Sequence, residues 1–275
     1  MARKNKRERE DYCNICGEHS KLTWDHVPPK CCNNNQSIIY QNLVQPSLSQ
    51  DAQTVYKYLI SQNGLAFRSL CESCNNANLG QYDVEYGRIY DIIDKYLNSN
   101  QKYRAIEFDC HINKLARAII GHLLASKNFY DEEFAIDIEL RKYFFDQSMS
   151  RPDFKLLYYY YPYKGIVIAR DISILNPRSF FHHSIVSCLF AYPLAFILYS
   201  GEGNGVCEFQ DLFKCTTSTI DQVVKIKVDF LSCYLPDGRF RHPLGLLNLS
   251  IDGNGSYAFV AGQSIDDAII AKLKG

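Results

Sequence analysis

The chain has no net charge: its 30 Lys and Arg residues are matched by 30 Asp and Glu. The balance holds both within residues 1–100 and beyond them. Proteins that grip nucleic acid through its backbone carry a visible basic excess, so tight, unaided, non-specific DNA binding is not expected of this chain. The one basic cluster, Arg3, Lys4, Lys6, Arg7 and Arg9, is diluted by Glu8 and Glu10 and reads as a solvated, flexible tail over residues 1–11. No apolar run is long enough for a membrane span. The longest, residues 185–199, falls short of the roughly 20 residues required and is broken by Pro193. The charged N-terminus lacks the apolar stretch of a secretory signal, and there is no internal repeat. The 11 cysteines are an odd number, and nothing marks the chain as secreted. That combination points to the reducing cytoplasm and to metal ligation rather than disulfides.

What is present supports a real core. Hydrophobic residues make up 47% of the chain, with 20 Tyr and 16 Phe. A length of 275 residues allows one large domain or two ordinary ones. Leu22 to Asp25 reads as a short strand ended by Pro28-Pro29, residues 31–52 as a long polar loop, and residues 66–70 as a second strand after an Asn63-Gly64 turn. Val84, Ile89, Ile92, Ile93, Tyr96 and Leu97 then recur at helical spacing. Residues 98–103 look like a linker. Beyond it come helices over 112–126 and 132–145. Strand-like runs follow over 156–163, 166–170, 185–199, 223–231, 244–249 and 257–260, and a last helix covers 265–273. The expected fold class is α+β, with a motif-bearing domain over 12–97 and a larger α+β domain of unknown type over 104–275.

The motifs sit in the first part. Cys13 with Cys16 and Cys71 with Cys74 form two CxxC pairs, a spacing that closes a tetrahedral zinc site. Asp25-His26 lies between the pairs, and Asn75 follows the last cysteine directly. A carboxylate and an amide oxygen are the donors a hard divalent cation such as magnesium prefers, and a neutral histidine serves as a base. Together they suit metal-assisted hydrolysis of a phosphodiester. Adjacent strand residues face opposite ways, so Asp25 and His26 share a site only where the strand ends, which Pro28-Pro29 enforces. Cys31 and Cys32, an adjacent pair after Lys30, have poor geometry for closing a site and read as free buried thiols. His19 reads as an exposed turn histidine. A nucleobase deaminase would need His-x-Glu and Pro-Cys-x-x-Cys. Pro28 stands where that Glu would be, and Leu70 precedes Cys71.

The strings Cys-x2-Cys-Gly, Leu-Thr-Trp-Asp-His-Val-Pro-Pro-Lys and Cys-x2-Cys-Asn resemble the zinc-ribbon HNH endonucleases, over about residues 12–90 only. The resemblance implies a ββα-metal fold braced by a zinc knuckle, with Cys13, Cys16, Cys71 and Cys74 as structural zinc ligands. It implies His26 as general base, and Asp25 and Asn75 as ligands of a catalytic Mg²⁺ or Mn²⁺. The family's middle Asn braces the hairpin loop. Asn42, followed by Leu43, fits by local sequence, and Asn63 fits by its distance from Cys71. The 28 residues between Asn42 and Cys71 exceed the family's usual spacing. Asn78 and Asp83 are further candidates near the metal. Lys30 and Arg68 are candidates for phosphate contacts, each equally readable as a solvated charge.

The second part offers no catalytic set. His111 and His122 fall near one helix face, and His122, inside an apolar stretch, reads as a satisfied core histidine. His182-His183 lacks a partner motif. Tyr158 to Tyr161 read as a half-buried strand with wet hydroxyls, or, more sharply, as a stacking platform for bases. The expected function is a DNA-cleaving endonuclease gated through its C-terminal domain by a ligand, a partner protein or assembly into a homo-oligomer. By analogy with the family, it would act in antiviral defence against phage or among mobile elements. The alternative is a catalytically inactive zinc-ribbon adaptor within a nucleic-acid-processing complex.

Overall fold

The computed structural model describes residues 7–42, 59–100, 103–150, 152–175, 183–200, 209–214, 219–232 and 257–262. The strands expected over 244–249, the helix over 265–273, His182 and the basic residues Arg3, Lys4 and Lys6 lie outside them. In chain order the elements are β1 (Glu10–Tyr12), β2 (His19–His26), β3 (Ile38–Asn42), β4 (Leu59–Ser61), β5 (Ala66–Cys71), α1 (Gly80–Leu97), β6 (Ala105–His111), α2 (Ile112–Ala125) and α3 (Ala135–Phe145). There follow β7 (Lys155–Tyr160), β8 (Ile166–Leu175), β9 (His183–Ala191), β10 (Leu194–Ser200), β11 (Gln210–Asp211), β12 (Val223–Asp229) and β13 (Tyr257–Gly262). This is a mixed α+β architecture, and no described helix is long and apolar enough to cross a membrane.

Three sheets form. One is a small antiparallel sheet of order β1-β2-β5, one is a ribbon of β12 with β6, and one is an eight-stranded sheet of order β11-β7-β10-β9-β8-β13-β3-β4. The small sheet runs straight into α1 through a π-helical turn over Ser73–Leu79, giving the order strand, strand, helix. Residues 7–11 are not a loose tail. Glu10 to Tyr12 pair with Lys21 to His19, and the Arg7 guanidinium holds Asp11 and the Asn14 side chain.

The stretch between His26 and Cys71 is not a simple loop either. Its strand β3 pairs with β13, Ile39 opposite Gly262 and Asn42 opposite Phe259, and with β4. The long spacing therefore builds two strands of the large sheet out of the motif-bearing part of the chain. One hydrophobic core consequently runs from Cys13 to Val228. Residues 185–199, a single apolar run in sequence, form the hairpin β9–β10, with Leu194 opposite Ala191.

The two faces of the large sheet follow the period of two. Leu156, Tyr158, Ile168, Leu189, Phe196 and Leu198 face the helices. Leu157, Tyr159, Val167, Phe190 and Ile197 form a second cluster on the other face. Three of these tyrosines are thus buried rather than wet, with Tyr158, Tyr159 and Tyr161 at 5%, 2% and 0% exposure, while Tyr160 is half-buried. The Tyr158 hydroxyl donates to the Lys227 carbonyl at 3.1 Å and is also bonded to Gln210.

Helix α2 is the centre of the molecule, since every residue in it except Lys114 is buried. It lies between α1 and α3 and touches β2, β5, β6 and β9. Gly121 permits the closest approach: a Cβ there would sit 2.5 Å from Leu79 Cδ1 and 2.9 Å from Phe144 Cε2. On α1 the core stripe is Tyr82, Tyr86, Ile89 and Ile93, while Val84, expected in it, is 73% exposed.

Four buried charges tie α3 and the end of α2 to the large sheet. Lys127 Nζ bonds Asp137 at 2.6 Å and Asp171 at 2.9 Å, and Arg170 bonds the same two carboxylates at 2.8 and 3.2 Å. Burial opposes the charge on Asp171, but Arg170 and Lys127 outweigh it and hold the carboxyl below its usual range. Removing one partner leaves the others charged and desolvated. Asp137→Ala is therefore expected to cost about 3–5 kcal/mol, measured by denaturant unfolding. A loss below 1 kcal/mol would show that the cluster does not hold these elements together.

Candidate functional site

The site is built on the β2–β5 pair. Their register runs Leu22 opposite Cys71, Thr23 opposite Leu70, then Trp24 opposite Arg68. Ser69 is thus an extra residue on β5, a bulge. Its carbonyl accepts the Asn14 N–H at 2.9 Å, so the bulge feeds directly into the cysteine turn.

The four cysteines come together as their spacing predicts. The sulfurs of Cys13, Cys16, Cys71 and Cys74 all lie within 4.8 Å of one another, and Cys16 Sγ to Cys71 Sγ is 3.8 Å. A tetrahedral ion with bonds of about 2.3 Å requires a sulfur separation of about 3.8 Å, so the set fits a single metal ion. The Cys74 N–H points to Cys71 Sγ at 3.4 Å and the Asn78 amide to Cys74 Sγ at 3.7 Å. Both donors suit thiolate sulfur. A hydrogen bond from Cys74 pulls the Cys13 thiol below its ordinary range, while burial and the charge of Cys13 push Cys16 up. The group resists a second negative charge unless a cation sits among the sulfurs.

Asn14, inside the first CxxC, docks this knuckle. It is 1% exposed. Its amide donates to the carbonyls of Leu124 (3.0 Å) and Lys127 (2.9 Å), and its own carbonyl accepts Arg141 Nε at 2.9 Å. Both ends of the motif thereby pack on α2 and α3. His19 lies outside the cluster, edge-on to Tyr12 with ring centroids 5.2 Å apart.

His26 is the last residue of β2. Its Nε2 meets the Asn63 carbonyl at 2.9 Å. A carbonyl only accepts, so Nε2 carries the proton and Nδ1 is the bare nitrogen. Burial pushes the ring below its ordinary value, and the Lys30 charge adds to that effect. A neutral ring with a bare nitrogen is what a general base requires.

The loop that carries Asn63 is braced by a residue the sequence did not single out. Asn34 is 3% exposed. Its amide donates to the Pro28 carbonyl (2.6 Å) and the Leu65 carbonyl (2.9 Å), and its Oδ1 accepts the Leu65 N–H (2.8 Å). Gly64, at φ +66°, lies so close that a Cβ would come within 2.2 Å of the Asn34 carbonyl oxygen, so only glycine fits. Of the two earlier candidates, Asn63 meets His26 through its backbone carbonyl, and Asn42 lies in β3 opposite Phe259, its side chain outside the described residues. The signal for Asn34 was faint: one Asn in a run of three shortly after the Pro-Pro that ends β2.

Asp25 points inward, 4% exposed, away from the Trp24 face. It meets His122 of α2, with Nδ1 to Asp25 Oδ2 at 3.1 Å, while His122 Nε2 meets Asp83 Oδ1 of α1 at 2.8 Å. Burial would lower His122, but Asp83 and Asp25 outweigh it and hold it up at about 10. Burial raises the Asp25 carboxyl, with the His122 charge opposing. His122 is buried as expected of a core histidine, yet it belongs to this site. No motif marked it, because its partners lie 97 and 39 residues away in sequence.

Asn75, in the π-helical turn, reaches β2. Its amide donates to Thr23 Oγ1 (2.9 Å) and the Trp24 carbonyl (3.1 Å). Both amide donors are thus spent on the strand. Arg68 lies over the half-exposed Trp24 ring, 4.8 Å from its centroid. Lys30 is exposed beside His26, and Cys31 is exposed too, not buried, with its thiol 3.5 Å from the Asp83 carbonyl. Among the described residues, the four cysteines form the one group of three or more His, Cys, Asp or Glu donors close enough to share an ion.

No family model, curated protein or solved structure matches this chain. The functional reading therefore rests on the residues themselves. Replacing Asn34 by Ala would leave the Leu65 N–H and the Pro28 carbonyl without this partner. A loss of about 2–3 kcal/mol is expected, read by thermal unfolding. Asn42→Ala in the same assay is expected to stay within about 1 kcal/mol, and the reverse order would reassign the bracing role.

Proposed function

We propose that this protein is a metal-dependent HNH-type endonuclease that hydrolyses DNA phosphodiesters. The observation that carries the reading is the His26 ring, neutral, bare at Nδ1 and held through Nε2 by the Asn63 carbonyl, at the end of a strand pair that leads into a helix. The cysteine set, its sulfurs all within 4.8 Å of one another, would hold a structural zinc ion and so tie the strand pair to the helix start. Asp25 and Asn75 would hold the catalytic Mg²⁺ or Mn²⁺ through carboxylate and amide oxygens, the donors such a hard cation prefers. When bound, it supplies Lewis-acid stabilisation of the phosphorane and leaving oxygens.

The protein's own groups do the rest. His26 Nδ1 takes the proton of the attacking water, and the Asn63 carbonyl keeps the ring in the tautomer that leaves Nδ1 free. Arg68 and Lys30 meet the phosphate backbone beside it. With no net charge on the chain, DNA is not held unaided, and the strands beyond α2 receive the activating ligand, partner protein or second copy that gates cleavage.

Two variants separate the roles. In plasmid nicking with Mg²⁺ or Mn²⁺, His26→Ala is expected to reduce cleavage by about 10²–10⁴-fold with zinc content unchanged. Failure to nick with any metal, DNA form or partner would sink the nuclease reading and favour a zinc-ribbon adaptor. Cys71→Ser should instead lose the zinc, measured by elemental analysis, and unfold the strand pair, because structural zinc binding is folding energy. Retention of one zinc per chain by Cys71→Ser would show that the cysteines are not its ligands.

A further inference from the structure

The nuclease reading accounts for Asp25 but leaves the residue that touches it unexplained. His122 is fully buried, and both ring nitrogens end on carboxylates from different elements, Asp25 on β2 and Asp83 on α1. Carboxylate oxygens accept and do not donate, so neither nitrogen is bare and His122 is not itself arranged as a metal ligand. Its Nδ1–H takes Oδ2 of Asp25 at 3.1 Å and so fixes the orientation of that buried carboxylate. Asp83, 23% exposed in the first turn of α1, fixes the ring in turn. The Tyr86 ring, its centroid 6.3 Å away, closes the side. Ligating groups held this way by a second layer of hydrogen bonds gain affinity and orientation for their metal.

Resting on the nuclease reading, we infer that His122, held by Asp83, is a positioning residue for the catalytic cation. Through it, helix α2, which lies beyond the motif-bearing stretch, completes the site. The hairpin and its zinc knuckle are then insufficient alone: the orientation of Asp25 depends on a helix that also packs against the large sheet through β9. Any partner that shifts α2 would act on Asp25 through His122.

The test is Mn²⁺ binding to the full-length, zinc-loaded protein, followed by the spectrum of free Mn²⁺, in a His26→Ala background so that DNA cleavage plays no part. Asn places an N–H near the position of Nδ1, and Gln places one near Nε2. His122→Asn is therefore expected to bind Mn²⁺ within about threefold of its parent, while His122→Gln weakens binding about 10- to 100-fold. Asp83→Ala, a change at a part-exposed side chain that the fold should tolerate, is expected to weaken it about tenfold. A purely structural histidine would lower the unfolding temperature in all three variants and leave the Mn²⁺ affinity alone. That result, in Asp83→Ala and whichever His122 variants fold, would overturn the inference while leaving the nuclease reading intact. Absence of Mn²⁺ binding by the parent would overturn the nuclease reading, and the inference with it.

Discussion

A helix buried on every side is the constraint on which this structure depends. Helix α2 is apolar enough to be enclosed, but it is not wholly apolar, and each polar group it carries must find a partner inside the protein. Asn113 donates to the Thr219 carbonyl at 2.6 Å. Arg117 reaches the carbonyls of Asn113, Asp146 and Met149 and lies over the Tyr143 ring. His122 takes Asp25 and Asp83, and the carbonyl of Leu124 near the helix end receives Asn14. All of these bonds except Arg117 to Asn113, which lies within the helix, fasten other parts of the chain to the same rod. The cysteine knuckle, the motif-bearing strand, α1, α3 and the large sheet are positioned relative to one another because one helix must satisfy its polar residues.

That arrangement gives physical content to the idea of a controlled nuclease. An active site made only of the hairpin and the helix after it would be self-sufficient. Here the carboxylate proposed to hold the cation is gripped from behind by α2, and strands β3 and β4, which lie inside the motif-bearing stretch, are built into the eight-stranded sheet. The two parts are interleaved rather than strung together, so a change in one is felt in the other through packed side chains rather than through a linker.

Elements governed by local rules were legible in the sequence. The two CxxC pairs, the strand ending before Pro28-Pro29, the turn at Asn63-Gly64, the strand before Cys71 and the helices over 112–126 and 132–145 stand close to where spacing and periodicity put them. What failed did so for identifiable reasons. Residues 31–52 are polar enough to read as loop, yet Ile38 to Asn42 become a strand because β13 offers an edge. Val84 fits the helical period but faces solvent, because the buried face of α1 is set by where α2 lies. Tyr158 to Tyr161 were ambiguous in sequence, since tyrosine suits both a wet surface and a core, and the sheet decided for burial of all but the half-buried Tyr160.

By itself the sequence determined the chemistry available: four sulfur donors at metal spacing, a carboxylate and an imidazole side by side, and an amide after the last cysteine. These are consequences of covalent spacing, which survives in any fold the chain adopts. Only the tertiary structure decided how those groups are held. It made Asn34 a brace of the loop, gave Asn63 its part through a backbone carbonyl, and set His122 between Asp25 and Asp83. Such contacts join residues tens of positions apart, and their partners are selected by packing and by the cost of leaving a buried polar group unpaired, neither of which leaves a local trace in the order of residues.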